Sequence, residues 1–290
     1  MNSVYASTAR FDSARALSED EMRRSAPSIF AVSAHESRSE RFQPISTIEV
    51  LRALMDEGFM PVGVKQGRTR DTSKKDFTKH LILIRLRRLD HDAKFCVGDT
   101  VCEILLKNAN DGTSAFDIMA GLFRIRCLNS LVAQTSTLDS VKVRHSGDVS
   151  HKVIDGTFRV MKEAERALAA PADWSGLILD RDEKQVFAEA AHIARFGDSE
   201  GETTTRIQPS QLLNARRTGD RENDLWTTFN VVQENAIRGG LEARFRDEHG
   251  RLRRSSSRAV KGIDQDVKLN KALWTLSEKM AELKGLRAAA

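Results

Sequence analysis

Two pairs of arginines have the spacing of alternate residues in a β-strand: Arg85 with Arg87, and Arg124 with Arg126. Because side chains two residues apart lie on the same side of a strand, each pair is predicted to project from one face of a sheet. A guanidinium group is planar and donates hydrogen bonds that match phosphate oxygens, so these arginines are candidate contacts for a nucleic-acid backbone. The alternative is that each arginine forms an ion pair with a nearby acid, such as Glu103 or Asp117.

Basic residues are also concentrated in two stretches of the chain. Lys65 to Arg88 holds nine Lys and Arg residues against two acids, and Arg244 to Lys261 forms a second basic cluster. The net charge of +5 is modest, so its uneven placement is what favours an acidic partner. Alternatively, both clusters are solvated loops that aid solubility. The further candidate contacts for nucleic acid in these stretches are Lys74, Lys75, Arg251, Arg253, Arg254, Arg258 and Lys261.

A dense row of amide side chains lies in one predicted amphipathic helix, from Asp224 to Arg238. Its apolar residues recur at helical spacing, and Gly239-Gly240 is typical of a helix end, because glycine adopts positive φ without a steric penalty. The polar side chains are interpreted either as caps of buried backbone groups where a helical region docks on a sheet, or as a site for nucleic acid. This polar motif of unknown role comprises Asn230, Gln233, Glu234, Asn235 and Arg238, with Asn108, Asp111 and Asn129 upstream.

The hydrophobic periodicity predicts an α+β fold with a mainly antiparallel sheet flanked by helices and a helical C-terminal half packed on it. Residues 1–44 are expected to form a loosely attached arm, 45–170 the sheet core, and 171–290 the helical region with a basic loop near 244–261. We interpret that loop as polar and mobile. Strands are predicted at 61–65, 80–87, 101–106, within 115–133 and at 141–145, and helices from about 47, 149 and 264.

Several short motifs together resemble one known family. The C-terminal motifs are Leu212 to Arg217, Asn223 to Trp226, Phe229 to Asn235, Arg238 to Gly240, Arg258 to Ile263 and Leu269 to Trp274, and the central ones are Asn108 to Phe116 and Gly121 to Ser130. Over roughly residues 40 to 285 the chain is similar to domain-of-unknown-function family 932, a resemblance that implies phage- and plasmid-associated relatives. The family's central motif usually reads Asn-Ser-His-Asp-Gly. Ala109 and Asn110 replace the Ser-His pair here, so no role is carried over for that histidine.

The sequence carries no recognised enzyme signature: no phosphate-binding glycine loop, nucleophile elbow or zinc-binding motif. The three cysteines lack metal-ligand spacing, and no apolar run approaches the length of a membrane span. We therefore expect a cytoplasmic protein without a cofactor or a membrane partner, and the sequence favours, without deciding, a protein that is not an enzyme. Scattered carboxylates that meet around a cation stay an alternative; the candidates are Asp111, Asp117, Asp139 and Asp148.

The first functional hypothesis is a mobile-element-associated protein that binds nucleic acid, with single-stranded DNA as the expected partner and strand annealing by a homo-oligomer as the mechanism. The predicted order of helix, consecutive strands and helix resembles the core of phage single-strand annealing recombinases, which need no cofactor. The second hypothesis is an interaction protein that modulates a host defence protein through the amide-rich helix. The third is a metal-dependent nuclease.

Overall fold

The computed structural model describes residues 9–10, 16–86, 100–124, 141–143, 152–160, 170–197, 207–246 and 248–289. The described residues form two compact units, one up to residue 160 and one from residue 170 onwards. No described helix has both the length and the apolar composition of a transmembrane span. The α+β class is confirmed, with an antiparallel sheet in the first unit and a largely helical C-terminal region.

The sheet of the first unit contains, among the described residues, six antiparallel strands in chain order: β1 (Ala9–Arg10), β2 (Phe59–Gln66), β3 (His80–Leu86), β4 (Thr100–Ala109), β5 (Ser114–Arg124) and β6 (Val141–Val143). Ile82 to Ile84 of β3 and Ile104 to Leu106 of β4 are buried without interruption. A continuous apolar run is typical of strands that are covered on both faces.

Within its described residues, the first unit also contains the α-helices α1 (Glu19–Ser25), α2 (Thr47–Asp56) and α3 (residues 152–160). On α2, Ile48, Leu51 and Leu54 recur at helical spacing and are buried. On α3, Gly156 lies so close to β6 that a Cβ atom there would be 2.9 Å from Val141, which means that only glycine permits this approach. These contacts form the apolar core of the unit.

Residues 16 to 44 differ from the loosely attached arm that the sequence suggested. Helix α1 begins with a capping box in which Ser18 and Glu21 satisfy each other's backbone amides. Leu17, Met22 and Ile29 are at most 2% exposed. Burial of side chains this size stabilises a fold by about 1.5–3 kcal/mol each, so this stretch is part of the core.

A buried chain of hydrogen bonds joins this N-terminal stretch to the sheet. The Asn108 amide donates to the Thr47 hydroxyl (2.8 Å), and Thr47 lies 2.9 Å from Nε2 of His80. On the other side of the ring, Nδ1 is 3.0 Å from the Ser28 hydroxyl, which donates in turn to the Gln66 side-chain carbonyl (2.9 Å). Nδ1 also lies 3.2 Å from the Thr78 carbonyl, which can only accept, so the proton belongs on Nδ1 and Nε2 accepts from Thr47.

The second unit contains helices α4 (Ala170–Ser175), α5 (Arg181–Phe196), α6 (Leu225–Arg238) and α7 (Ile263–Ala289). Its core includes an aromatic cluster in which the Trp174 ring centroid is 4.6 Å from that of Trp274 and 5.9 Å from that of Phe229. The stretch expected to be a mobile basic loop forms instead an antiparallel hairpin of β7 (Glu242–Arg246) and β8 (Leu252–Ser256), which we call the β7–β8 ribbon.

The position of His80 predicts a pH-dependent stability of the first unit. Burial lowers the pKa of His80 from 6.5 to about 4, and this effect outweighs the Thr78 carbonyl and Asp111, which both raise the pKa. The folded state disfavours the charged ring, so the contribution of neutral His80 to the free energy of unfolding is fully present above about pH 6.5. This contribution, up to about 3 kcal/mol, is lost as the pH falls from about 6.5 to about 4. Urea unfolding as a function of pH measures this effect.

The variant His80→Gln removes the titrating ring, so its unfolding free energy should be lower at pH 7.5 but should change less between pH 6.5 and 4.5 than that of the wild type. His249→Gln is the matched control, because the His249 side chain is 69% exposed. Equal pH dependence of wild type and His80→Gln would contradict the assignment of a neutral buried histidine.

Candidate nucleic-acid interface

The proposed arginine track on the sheet is not supported at Arg85. The Arg85 side chain is 9% exposed and forms an ion pair with Glu103, whose side chain is 0% exposed. The prediction of an exposed Arg85 is therefore wrong, and the alternative of an ion pair with Glu103 applies. A buried ion pair is costly to break, because removal of one partner leaves an uncompensated charge. Arg85 is thus a structural residue of strands β3 and β4.

The rest of the proposed track cannot be assembled from the described side chains. Arg124 is the last residue of β5, but the structure does not describe its side chain. Arg87 and Arg126 lie outside the described residues. Asp117, the other suggested partner of an arginine, pairs with Lys107 across β4 and β5 at 2.8 Å. The sheet therefore offers no described arginine pair for phosphate contacts.

Lys74 and Lys75 lie in the loop between β2 and β3, which is held in place by polar contacts. The Asp71 carboxylate accepts from the Ser73 amide (3.0 Å), and the Gln66 amide donates to the Lys75 carbonyl (2.8 Å). Lys75 is exposed, and Lys74 is 32% exposed and 3.9 Å from Asp71. The loop thus presents basic side chains on an anchored backbone, but its own acid partly neutralises them.

The amide motif of α6 is buried and internally satisfied. All thirteen residues from Leu225 to Ile237 are buried. The Asn235 amide donates to the Leu212 and Asn214 carbonyls (2.9 Å each), and its oxygen accepts from Arg216 (2.6 Å). Gln233 donates to Asn270 (2.9 Å). These amides join α6 to its neighbours within the second unit.

The charged members of the same motif are also occupied. Glu234 is 2% exposed and accepts from Arg217 (2.7 Å) and Arg238 (2.5 Å). Asn230 donates to the Trp226 carbonyl one turn earlier (2.7 Å). These amide and carboxylate groups are therefore committed to partners within the second unit, whereas the Arg238 side chain at the end of α6 is 44% exposed.

The upstream polar motif has a comparable role in the first unit. Asn108 holds the Ile45 carbonyl and Thr47, while Asn110 donates to the Ala31 and Ile45 carbonyls (3.2 and 3.0 Å) and accepts from the Ile45 amide (3.2 Å). Asn110, which replaces the usual histidine of the family motif, therefore fastens residues 31 to 45 to the end of β4. Asn129 lies outside the described residues.

In the described part of the chain, no group of three or more His, Cys, Asp and Glu side chains is placed to hold a metal ion. Asp111 accepts from the backbone amide and the hydroxyl of Thr113 (2.9 and 2.6 Å), which makes it a turn residue. Asp139 and Asp148 lie outside the description.

The β7–β8 ribbon is the most exposed basic element of the described chain. All five residues of β8 are exposed, including Arg253 and Arg254. The strand register places Arg244 directly opposite Arg254, and among the described residues neither guanidinium has a hydrogen-bond or ion-pair partner. Arg251, which precedes β8, and Arg258 and Lys261, which follow it, are also exposed. The ribbon thus brings together most of the predicted basic residues of the second cluster.

The base of the ribbon is fixed to α6. Gly239 ends the helix with a φ of +67°, and a Cβ atom there would lie 2.6 Å from the Ser257 carbonyl oxygen. Arg195 of α5 donates to the Ala236 and Arg258 carbonyls (2.8 and 2.7 Å). The Gly240 amide donates to the Ser257 carbonyl (2.7 Å). These bonds hold the two ends of the ribbon together while its strands extend into solvent.

Sequence reasoning identified the arginines of the ribbon but missed the hairpin. The signal was present, because Arg-Phe-Arg at 244–246 and Arg-Leu-Arg at 251–253 alternate in polarity and Gly250 lies between them. Gly250 has a φ of +74°, which is typical of a glycine in a hairpin turn. The high charge of the stretch was mistaken for a sign of mobility.

The hydrogen bonds of Asn235 predict that this residue stabilises the second unit. Asn235→Ala leaves the buried Leu212 carbonyl and the part-buried Asn214 carbonyl without this donor, and Arg216 without this acceptor, which should lower the free energy of unfolding by about 2–4 kcal/mol. Chemical denaturation measures this loss. Gln185→Ala is the control: its contact with Glu189 (2.9 Å) is an exposed i,i+4 pair, worth at most about 0.5 kcal/mol. Equal stability of the two variants would contradict the structural role of Asn235.

Comparison with known proteins places this architecture in a family. The family model described as "Domain of unknown function (DUF932)" matches residues 34–274. The UPF0380 proteins YafZ and YfjQ of Escherichia coli (strain K12) are each 42% identical over 264 residues, which cover 91% of this chain and 91% of each relative. No solved structure is significantly similar to the chain. The extent of the family match and the identity to both relatives show that the chain belongs to the DUF932 family.

Proposed function

We propose that this protein binds nucleic acid and that the β7–β8 ribbon is its principal contact. The observation that supports this most directly is the cross-strand pair of Arg244 and Arg254 on an exposed hairpin. Like charges directly opposite each other destabilise a strand pair by a few tenths to about 1 kcal/mol. A two-stranded ribbon is itself marginally stable in water, so this repulsion is a considerable cost.

A polyanion removes the cost of the opposed arginines. Phosphate groups between or beside the two guanidinium groups neutralise both, and each contact also releases a condensed counterion from the nucleic acid. The result is a favourable free energy of binding that increases as the salt concentration falls. Neither step needs a cofactor or a metal.

The basic loop between β2 and β3 is a second contact in this proposal. Lys75 is exposed there on a backbone that Gln66 holds in place. Arg85, by contrast, is excluded by its buried partner Glu103. The role we propose is cytoplasmic and in a mobile-element context. Annealing of single strands by a homo-oligomer is its more specific form, to which Arg85 does not contribute.

The proposal predicts that removal of the opposed arginines weakens binding without harming the fold. In Arg244→Ala/Arg254→Ala, two phosphate contacts are lost, so the log–log salt slope should flatten by about 1.4 to 1.8 units. The same variant should be as stable as the wild type, or more stable by up to about 1 kcal/mol, because the repulsion is gone. Titration of a labelled oligonucleotide at several salt concentrations and urea unfolding measure the two effects.

The control removes the same charge elsewhere: Arg24→Ala/Arg221→Ala replaces two exposed arginines of α1 and of the segment before α6. It should leave the salt slope within about half a unit of the wild type, because neither arginine belongs to the proposed contacts and no phosphate contact is lost. Absence of binding by the wild type at micromolar concentration in low salt, or an identical loss in both double variants, would overturn the proposal and favour a protein partner.

A further inference from the structure

The arginines of the ribbon occupy both of its faces. In an antiparallel pair, residues directly opposite each other lie on the same face, and neighbours along a strand alternate. Arg244 and Arg254 therefore share one face, whereas Arg253, which is opposite Phe245, lies on the other. Arg244, Arg253 and Arg254 are all exposed. The ribbon is thus cationic on two sides, and a flat surface could contact only one of them at a time.

A single strand is a poor match for this arrangement. Proteins that track a single strand combine a basic groove with exposed aromatic side chains on which successive bases stack. The sequence of β8 is Leu-Arg-Arg-Ser-Ser and holds no aromatic residue. Phe245, the one aromatic residue of β7, is only half-exposed. The ribbon therefore lacks the stacking platform that affinity for unpaired bases requires.

The groove of a DNA duplex fits the same features. The major groove of B-DNA is about 12 Å wide and admits a two-stranded β-ribbon, whose strands are about 4.8 Å apart. A ribbon inside the groove has a phosphate wall on each side, so arginines on its opposite faces reach opposite walls. The deep, narrow major groove of an RNA duplex excludes such an element. The fixed base of the ribbon at Gly239 and Arg195 keeps it extended for entry.

We infer that the β7–β8 ribbon enters the major groove of duplex DNA and contacts phosphates on both walls, with Arg244 and Arg254 facing one wall and Arg253 facing the other. This inference rests on the proposed nucleic-acid binding and specifies its substrate. It assigns to the protein a duplex-binding activity rather than the single-strand track that the sequence suggested.

Competition experiments with the full-length protein test the substrate. A labelled mixed-sequence DNA duplex of about two helical turns is displaced by unlabelled duplex DNA, by single-stranded DNA of the same sequence, and by duplex RNA of the same sequence. We expect duplex DNA to compete about tenfold better than either alternative at equal nucleotide concentration. Dimethyl sulfate footprinting should show protection of guanine N7, which lies in the major groove, and not of adenine N3, which lies in the minor groove.

Single substitutions on the two faces test the geometry. Arg244→Ala and Arg253→Ala should each weaken duplex binding by about threefold to tenfold, because each removes a phosphate contact on one wall. Arg24→Ala is the matched control and should bind like the wild type. Urea unfolding of each variant ensures that a loss of binding is not a loss of fold.

The outcomes separate this inference from the proposed function. Equal competition by single-stranded DNA or duplex RNA, protection confined to adenine N3, or sensitivity to only one of the two substitutions would overturn groove entry and leave nucleic-acid binding intact. If no nucleic acid binds, the proposed function fails and the inference with it. Preferential competition by duplex DNA together with sensitivity on both faces supports groove entry.

Discussion

Residues Leu225 to Ile237 of helix α6 are all buried, so the amide and carboxylate groups among them need partners within the protein. Asn235 donates hydrogen bonds to the carbonyls of Leu212 and Asn214, and Gln233 donates to Asn270 of α7. Glu234 forms ion pairs with Arg217 and Arg238. An unsatisfied buried polar group costs about 1–3 kcal/mol, so the loss of any one of these partners destabilises the fold. The requirement extends to Gly239 at the end of the helix, because the backbone of residues 257 to 259 occupies the space of a Cβ atom. The position of the ribbon thus follows from the burial of the helix.

In the first unit, buried polar side chains are satisfied by one continuous chain of hydrogen bonds from Asn108 to Gln66. The hydroxyls of Thr47 and Ser28 each accept from one neighbour and donate to the next, and the neutral ring of His80 between them accepts at Nε2 and donates at Nδ1. Such a chain has one direction, because reversing one member leaves two donors or two acceptors face to face. It also joins the N-terminal stretch to the end of the sheet, in addition to the apolar burial of Leu17, Met22 and Ile29. In this chain, Asn108 and Asn110 of the central motif have this fastening role.

The sequence predicted the elements better than it predicted their environment. Periodicity located α2, β3, α6 and α7 because the spacing of apolar residues is a local property. The fate of Arg85 depends on Glu103 in the neighbouring strand, eighteen positions later, and local spacing does not reveal whether such a pair is covered. The amide row was recognised, but its partners at Leu212 and Asn270 are distant in sequence. The ribbon differs from these cases, because the alternation of polar and apolar residues in its strands is visible in the sequence. The high charge of the same stretch favours a loop instead.

The attachment of the ribbon has a practical consequence for protein engineering. The described hydrogen bonds that anchor it lie at Gly240, Leu241, Glu242, Ser257 and Arg258, and all five residues of β8 are exposed. Exposed loop tips accept inserted sequence when no buried backbone is disturbed. The turn around Gly250 is therefore a permissive site at which an affinity tag or a reporter peptide can be introduced without disturbing the helical unit.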